Sequence, residues 1–104
     1  MLDKFYILID GKPRRAKRLE WARWFEDIDN RRVHETKVGR AVVSTVFLGI
    51  DHNFTGKGPA ILFETMVFRE GHDIAMRRYA TLGEAKKGHW EAVEALKVKH
   101  ENAE

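Results

Sequence analysis

Two apolar runs do most to limit what this chain can become: residues 41–50 (AVVSTVFLGI) and residues 60–68 (AILFETMVF). Each is rich in β-branched and aromatic side chains and too short for a buried helix, and the loop between them, DHNFTGKGP, is full of turn formers. They read as two strands. In the first, Val42, Val46, Leu48 and Ile50 share one face and Val43 and Phe47 the other. That predicts a central strand covered on both sides. Before it, Val33, Glu35 and Lys37 alternate with Arg32, His34 and Thr36 up to a turn at Gly39. After the second run, Glu70-Gly71-His72-Asp73 turns the chain into a strand over residues 74–80, and residues 5–9 (FYILI) form one that stops at the turn pair Asp10-Gly11.

Helical spacing appears twice. In residues 19–27 (LEWARWFED), Leu19, Ala22 and Phe25 recur every three positions with Trp21 and Trp24 beside them. Thr81 and Glu84 stand at the spacing of a capping box, each side chain placed to bond the other residue's amide. Beyond them Leu82, Ala85, His89, Ala92, Val93 and Leu96 fall on one stripe, while Lys86, Lys87, Glu91, Glu94 and Lys97 fill the other side. This predicts a C-terminal helix of about four turns at ~3.6 residues per turn, with residues 100–104 fraying. The order is that of an α+β fold: an antiparallel sheet of about five strands, with a short N-terminal helix and the long C-terminal helix packed on one face. A chain of 104 residues supports one core, so residues 1–104 are expected to form a single domain.

Absence of Cys removes disulfides, thiol catalysis and cysteine-rich zinc sites, and fits a reducing compartment. The N-terminal apolar run is far shorter than the ~18 residues of a membrane span and lacks a small-residue cleavage site. Cytoplasmic placement without membrane association is the expectation. Charge is unevenly placed: 11 Lys or Arg against 7 Asp or Glu over residues 1–40, then 8 against 9 over the remainder. Lys12, Arg14, Arg15, Lys17 and Arg18 crowd one stretch, read as a connection, that can either steer an anionic partner or be a solvated surface. Trp21 and Trp24 follow it, as core residues or as exposed anchors that could stack bases beside phosphate contacts.

The most unusual single residue is Glu64, which interrupts its strand on the face read as shared with Leu62, Met66 and Phe68. Either it bonds a cross-strand cation such as Arg78, or it projects into a pocket as an acid, base or ligand group. Asp51-His52 leaves the sheet at the end of the central strand, with His72-Asp73 near the next turn but one; a meander puts these at opposite ends, which weighs against a shared metal site. Thr55-Gly56-Lys57-Gly58 lacks a full phosphate-loop pattern, and no Gly-x-Ser-x-Gly frame is present. His89 reads as a core histidine with one satisfied nitrogen.

The blocks WARWFE (21–26), STVFLGIDH (44–52), LFETMVF (62–68) and RYATLGEAKKGH (78–89) resemble a group of small proteins encoded by tailed phages and prophages. They cover roughly half of the chain. The resemblance implies an origin, with the host cell cytoplasm as location, and it draws attention to Asp51, His52, Glu64, Thr65 and Tyr79 as the polar members of the blocks.

Two functional readings follow. One is a phage accessory binding protein without cofactor, engaging a host protein or a small anionic ligand, for instance to blunt a host defence, through Asp51, His52, Glu64, Thr65, Arg78 and Tyr79. The other is a small acid-base or metal-dependent hydrolase or nuclease using Asp51, His52 and Glu64. Nucleic-acid contact through the basic segment and homo-oligomer formation are further expectations compatible with the sequence.

Overall fold

The computed structural model describes residues 4–102. Its centre is a four-stranded antiparallel sheet in the order β3-β4-β5-β6, with β3 at Arg32–Val38, β4 at Ala41–Phe47, β5 at Phe63–Arg69 and β6 at His72–Tyr79. The meander read from the sequence is therefore present. Glu70 and Gly71 both have positive φ, 51° and 82°, as the tight two-residue hairpin between β5 and β6 requires. Where the expectation of about five strands in one sheet departs from the structure is at the N-terminus. There β1 (Tyr6–Ile9) pairs with β2 (Lys12–Arg15) in a separate two-stranded sheet, turned by Asp10 and Gly11 at φ 50° and 79°.

The basic segment is thus partly a strand and not a connection. Pro13 is tolerated because β2 pairs on one side only. The hairpin is tied to the main sheet past the end of β4, by an antiparallel bridge between Phe5 and Ile50 and a bond from the Tyr6 amide to the Gly49 carbonyl at 2.8 Å. Gly49, at φ 77°, breaks regular pairing there, and a Cβ on it would press against Phe25 and Trp21. That close approach seats α1 (Arg18–Glu26): Trp21 lies 4.6 Å from both Phe5 and Phe25, and Trp24 meets Phe47 edge-on at 5.6 Å. Leu19, expected on the apolar face, is 64% exposed. The one-turn α2 (Ile28–Arg31) follows, begun by the Asp27 carboxylate accepting from the Asp29 amide and ended with the Arg31 guanidinium over the Phe25 ring at 4.1 Å.

The C-terminal helix α3 (Leu82–Asn102) opens with the expected capping box: the Glu84 amide donates to Thr81 Oγ1 at 3.1 Å, and the Thr81 amide donates to Glu84 Oε1 at 3.2 Å. It runs 21 residues, longer than expected, because no Gly or Pro stops it after Leu96. It continues into the segment expected to fray; residues 103 and 104 lie outside the described residues. Gly88, in mid-helix, is buried against the Tyr79 phenol, which occupies the space a Cβ would need. A glycine there costs about 1 kcal/mol of helix propensity and brings the helix down onto β6.

Among the described residues, only one face of the sheet is covered by a helix. Ala41, Val43, Thr45 and Phe47 of β4 and Phe63, Thr65 and Val67 of β5 are buried beneath α3, whose Ala85, His89 and Val93 point at them with a spacing of four. Val42, Ser44, Val46, Glu64, Met66 and Phe68 lie on the other face, half-buried and shielding one another. This corrects the expectation of a central strand covered on both sides. It also separates Leu62 from Glu64: Leu62 precedes regular β5 pairing and is buried with Phe47 and Phe63. Both edge strands carry one extra residue against their partner, Val33 in β3 and Ile74 in β6. Among the described residues, no helix is long and apolar enough to cross a membrane.

Candidate functional site: a cleft between β3 and α3

Cross-strand register explains why the core is divided. One row beneath α3 holds Phe47, Phe63 and Tyr79, which join Leu62 and Ala85 in a first apolar cluster. Four residues along, Val43 and Val67 join Val93 in a second. Between them the register aligns His34, Thr45, Thr65 and Arg77 in a polar row. His89 sits over this row, fully buried. Its Nδ1 is 2.8 Å from Thr45 Oγ1, its Nε2 is 2.9 Å from Thr36 Oγ1, and Thr45 Oγ1 is 2.6 Å from Thr65 Oγ1.

The chain of three hydroxyls and one imidazole, buried except at the half-buried Thr36, satisfies the ring on both sides, as a group in a low-dielectric interior requires. Burial pushes the His89 pKa below its ordinary value, and the adjacent His34 adds to the effect. His89 is therefore held neutral. Apolar side chains of similar volume at Thr45 and Thr65 would complete one continuous core, so the polar row is a departure from simple packing of the kind found at functional or strained positions.

The row opens to solvent at the β3 edge. The extra residue at Val33 lets two consecutive side chains face the helix: Val33 packs on the first apolar cluster while His34 meets His89 edge-on at 4.8 Å. Redirecting a side chain is a common result of a β-bulge. Trp90, the next residue on α3, lies 4.8 Å from His34 and 5.0 Å from His89, so three rings are in mutual contact. With Val33 and Lys86 they line a cleft of about 230 Å³. Among the described residues Lys86 has no ion-pair partner and His34 no hydrogen bond, and no carboxylate lines the cleft.

The residues read from the sequence as ligand-binding fall in four places. Thr65 belongs to the polar row, and Tyr79 to the apolar row beside it, its hydroxyl buried and, among the described residues, without a hydrogen-bond partner. Glu64 and Arg78 pair across strands on the open face, Arg78 Nε donating to Glu64 Oε2 at 2.9 Å. Asp51 and His52 lie past the end of β4 and are committed to the loop there. Asp51 accepts from the amides of Asn53 at 2.7 Å and Ile61 at 2.9 Å, with Lys4 at 3.6 Å, and His52 Nδ1 donates to the Ile50 carbonyl. Burial raises the Asp51 pKa, but the two amides and Lys4 outweigh it and hold the carboxyl below its ordinary range.

Glu64 is three residues along from Ile61, roughly 10 Å at strand rise, and His72 pairs with Arg69 at the far end of β5. Asp51, His52, Glu64, His72 and Asp73 therefore do not converge. Among the described residues, no three His, Asp or Glu side chains are grouped to hold a metal ion.

Lys12, Arg14 and Arg15 are exposed on β2, with Lys17 and Arg18 at the start of α1. Arg14 bonds Glu20 at 2.7 Å and thereby lowers the Glu20 pKa, while Arg15 lies over the Tyr6 ring. Trp21 and Trp24, both half-buried, pack against Phe25 and Phe47.

Sequence reasoning missed His34, Lys86 and Trp90, and treated His89 as having one satisfied nitrogen. The available signal was the pair Thr45 and Thr65, hydroxyls at core positions of two otherwise apolar strands, together with a His on the core stripe of the helix. Comparison with protein-family models, curated proteins and solved structures finds no match to this chain.

Proposed function

We propose that this chain is a phage accessory binding protein whose cleft between β3 and α3 takes a small anionic ligand. The observation that carries the reading is the lining of the cleft: Lys86 without a carboxylate partner, beside a His34 ring free to donate, over a floor fixed by the Thr36–His89–Thr45 bonds. A cation held near low-dielectric walls attracts an anion more strongly than the same cation in open solvent. The rigid floor reduces the ordering that binding would require. Phage origin, and a role in blunting a host defence, rest on the four sequence blocks; an accessory protein of that kind would capture a molecule made by the host.

The test is a titration of the isotope-labelled chain with acetate and with inorganic phosphate, followed residue by residue by NMR. Shifts should concentrate at His34, Lys86 and Trp90 and disappear in Lys86→Met, which replaces an exposed side chain and leaves the fold intact. Shifts at Lys12, Arg14 and Arg18 in their place would move the site to the hairpin, and no shift at millimolar anion would overturn the reading.

A further inference from the structure

Resting on that reading, we propose that the ligand is a single aromatic ring bearing one carboxylate, with the ring against Trp90 and the carboxylate at Lys86. The walls argue for the ring. His34, His89 and Trp90 meet at centroid distances of 4.8, 4.8 and 5.0 Å, and Trp90 remains 46% exposed, leaving indole surface for another ring in an offset or edge-on contact. His89 supports this from below, because a neutral imidazole already bonded on both nitrogens asks nothing polar of the group above it.

Size sets the limit. An apolar cavity of ~150 Å³ is enough to hold benzene. The 230 Å³ here leaves room for a ring and one small substituent. Pockets for larger, drug-sized molecules begin at about 300 Å³, which places a whole nucleotide beyond this cleft.

Charge sets the substituent. Aromatic walls alone would also suit an organic cation, but Lys86 at the mouth and the lack of any lining carboxylate exclude one. Lys86 is the one Lys or Arg among the lining residues, so a monoanion matches it. Because Lys86 is exposed, the carboxylate stays near solvent while the ring enters, and neither Lys86 nor the carboxylate has to be fully desolvated.

Calorimetric or NMR titration of the full chain with acetate, benzoate and benzamide tests the assignment. Benzoate should bind about tenfold more tightly than acetate, the gain expected of one ring contact, and benzamide should bind more weakly than benzoate. Trp90→Ala should erase the preference of benzoate over acetate while acetate still binds; Trp90→Leu, which keeps apolar bulk, guards against loss of fold in the smaller variant. If acetate binds and benzoate binds no better, the aromatic ligand is overturned and the anion cleft stands. If neither binds, the cleft reading falls and takes this one with it. A benzoate preference that survives both Trp90 variants would place the ring elsewhere and overturn the assignment.

Discussion

The loop beginning at Asp51 and the cleft beside His89 contain similar chemical groups in opposite states. At the loop, Asp51, His52 and Asn53 are the residue types a catalytic or binding site would use, and Asp51 Oδ1, His52 Nδ1 and both polar atoms of the Asn53 side chain bond backbone amides and carbonyls of the loop, with Lys4 beside Asp51 Oδ2. At the cleft, the buried His89 is equally spent, on Thr36 and Thr45, but its satisfaction leaves His34, Lys86 and Trp90 at the surface with capacity to spare. What distinguishes a site from a well-bonded loop is the capacity left over after the fold has taken what it needs. Residue type alone does not report that.

The contrast is most severely tested at His89. Replacing it by Ala should cost about 2–4 kcal/mol, because a cavity opens and Thr36 and Thr45 lose their partner in a buried setting. The wild-type chain should also lose stability as the pH falls below about 6.5, the ordinary His value. The folded pKa is depressed, so the unfolded chain takes up the proton first; the contribution of neutral His89 is complete above the unfolded value and is lost toward the folded one. Melting curves from pH 8 to 5 should show this slope in the wild type and a shallower one in His89→Ala. Equal slopes would mean that His89 is not held neutral by the fold.

A smaller effect is expected at the loop. Asp51→Asn should cost about 1–3 kcal/mol, since a charged acceptor of two amides becomes a neutral one, and it should leave benzoate affinity unchanged. Weakened benzoate binding with the fold intact would join two regions held here to be separate.

The smallest effect belongs to Glu64. Its bond to Arg78 lies at the open face, where the Arg78 side chain is 38% and the Glu64 side chain 15% exposed, and a Gln oxygen can still accept from Arg78 Nε, so Glu64→Gln should change stability by less than about 1 kcal/mol. A loss of several kcal/mol on thermal or urea unfolding would show that the open face is covered in solution.

Much of the fold could be read in advance for local reasons. Alternating runs between glycine turns gave the meander, and the Thr81–Glu84 pair marked the start of α3 to the residue. The N-terminal hairpin was harder, because Lys12-Pro13-Arg14-Arg15 has no strand propensity of its own and pairs only because the Asp10-Gly11 turn returns it to β1. The site was least legible. Nothing local aligns Thr45 with Thr65, or brings His89 to Thr36 from 53 residues away; those contacts exist only once the register and the helix docking are set. Glu64 stood out for the opposite reason: it breaks an apolar strand pattern locally, and the explanation is equally local, an Arg on the neighbouring strand.

The two extra residues at the sheet edges bear on how such a chain survives at high concentration. An edge strand presents unpaired amides and carbonyls that another molecule's strand can match, which is how sheets join into aggregates. Here the inner strands β4 and β5 pair in unbroken register, while Val33 in β3 and Ile74 in β6 interrupt both outer rims. On β6 the interrupting Ile74 is itself exposed, as is Met76, and Arg77 and Arg78 follow. A strand arriving at either rim finds the hydrogen-bonding pattern out of step after a few residues. The bulges therefore blunt both rims against strand-by-strand addition of a second molecule.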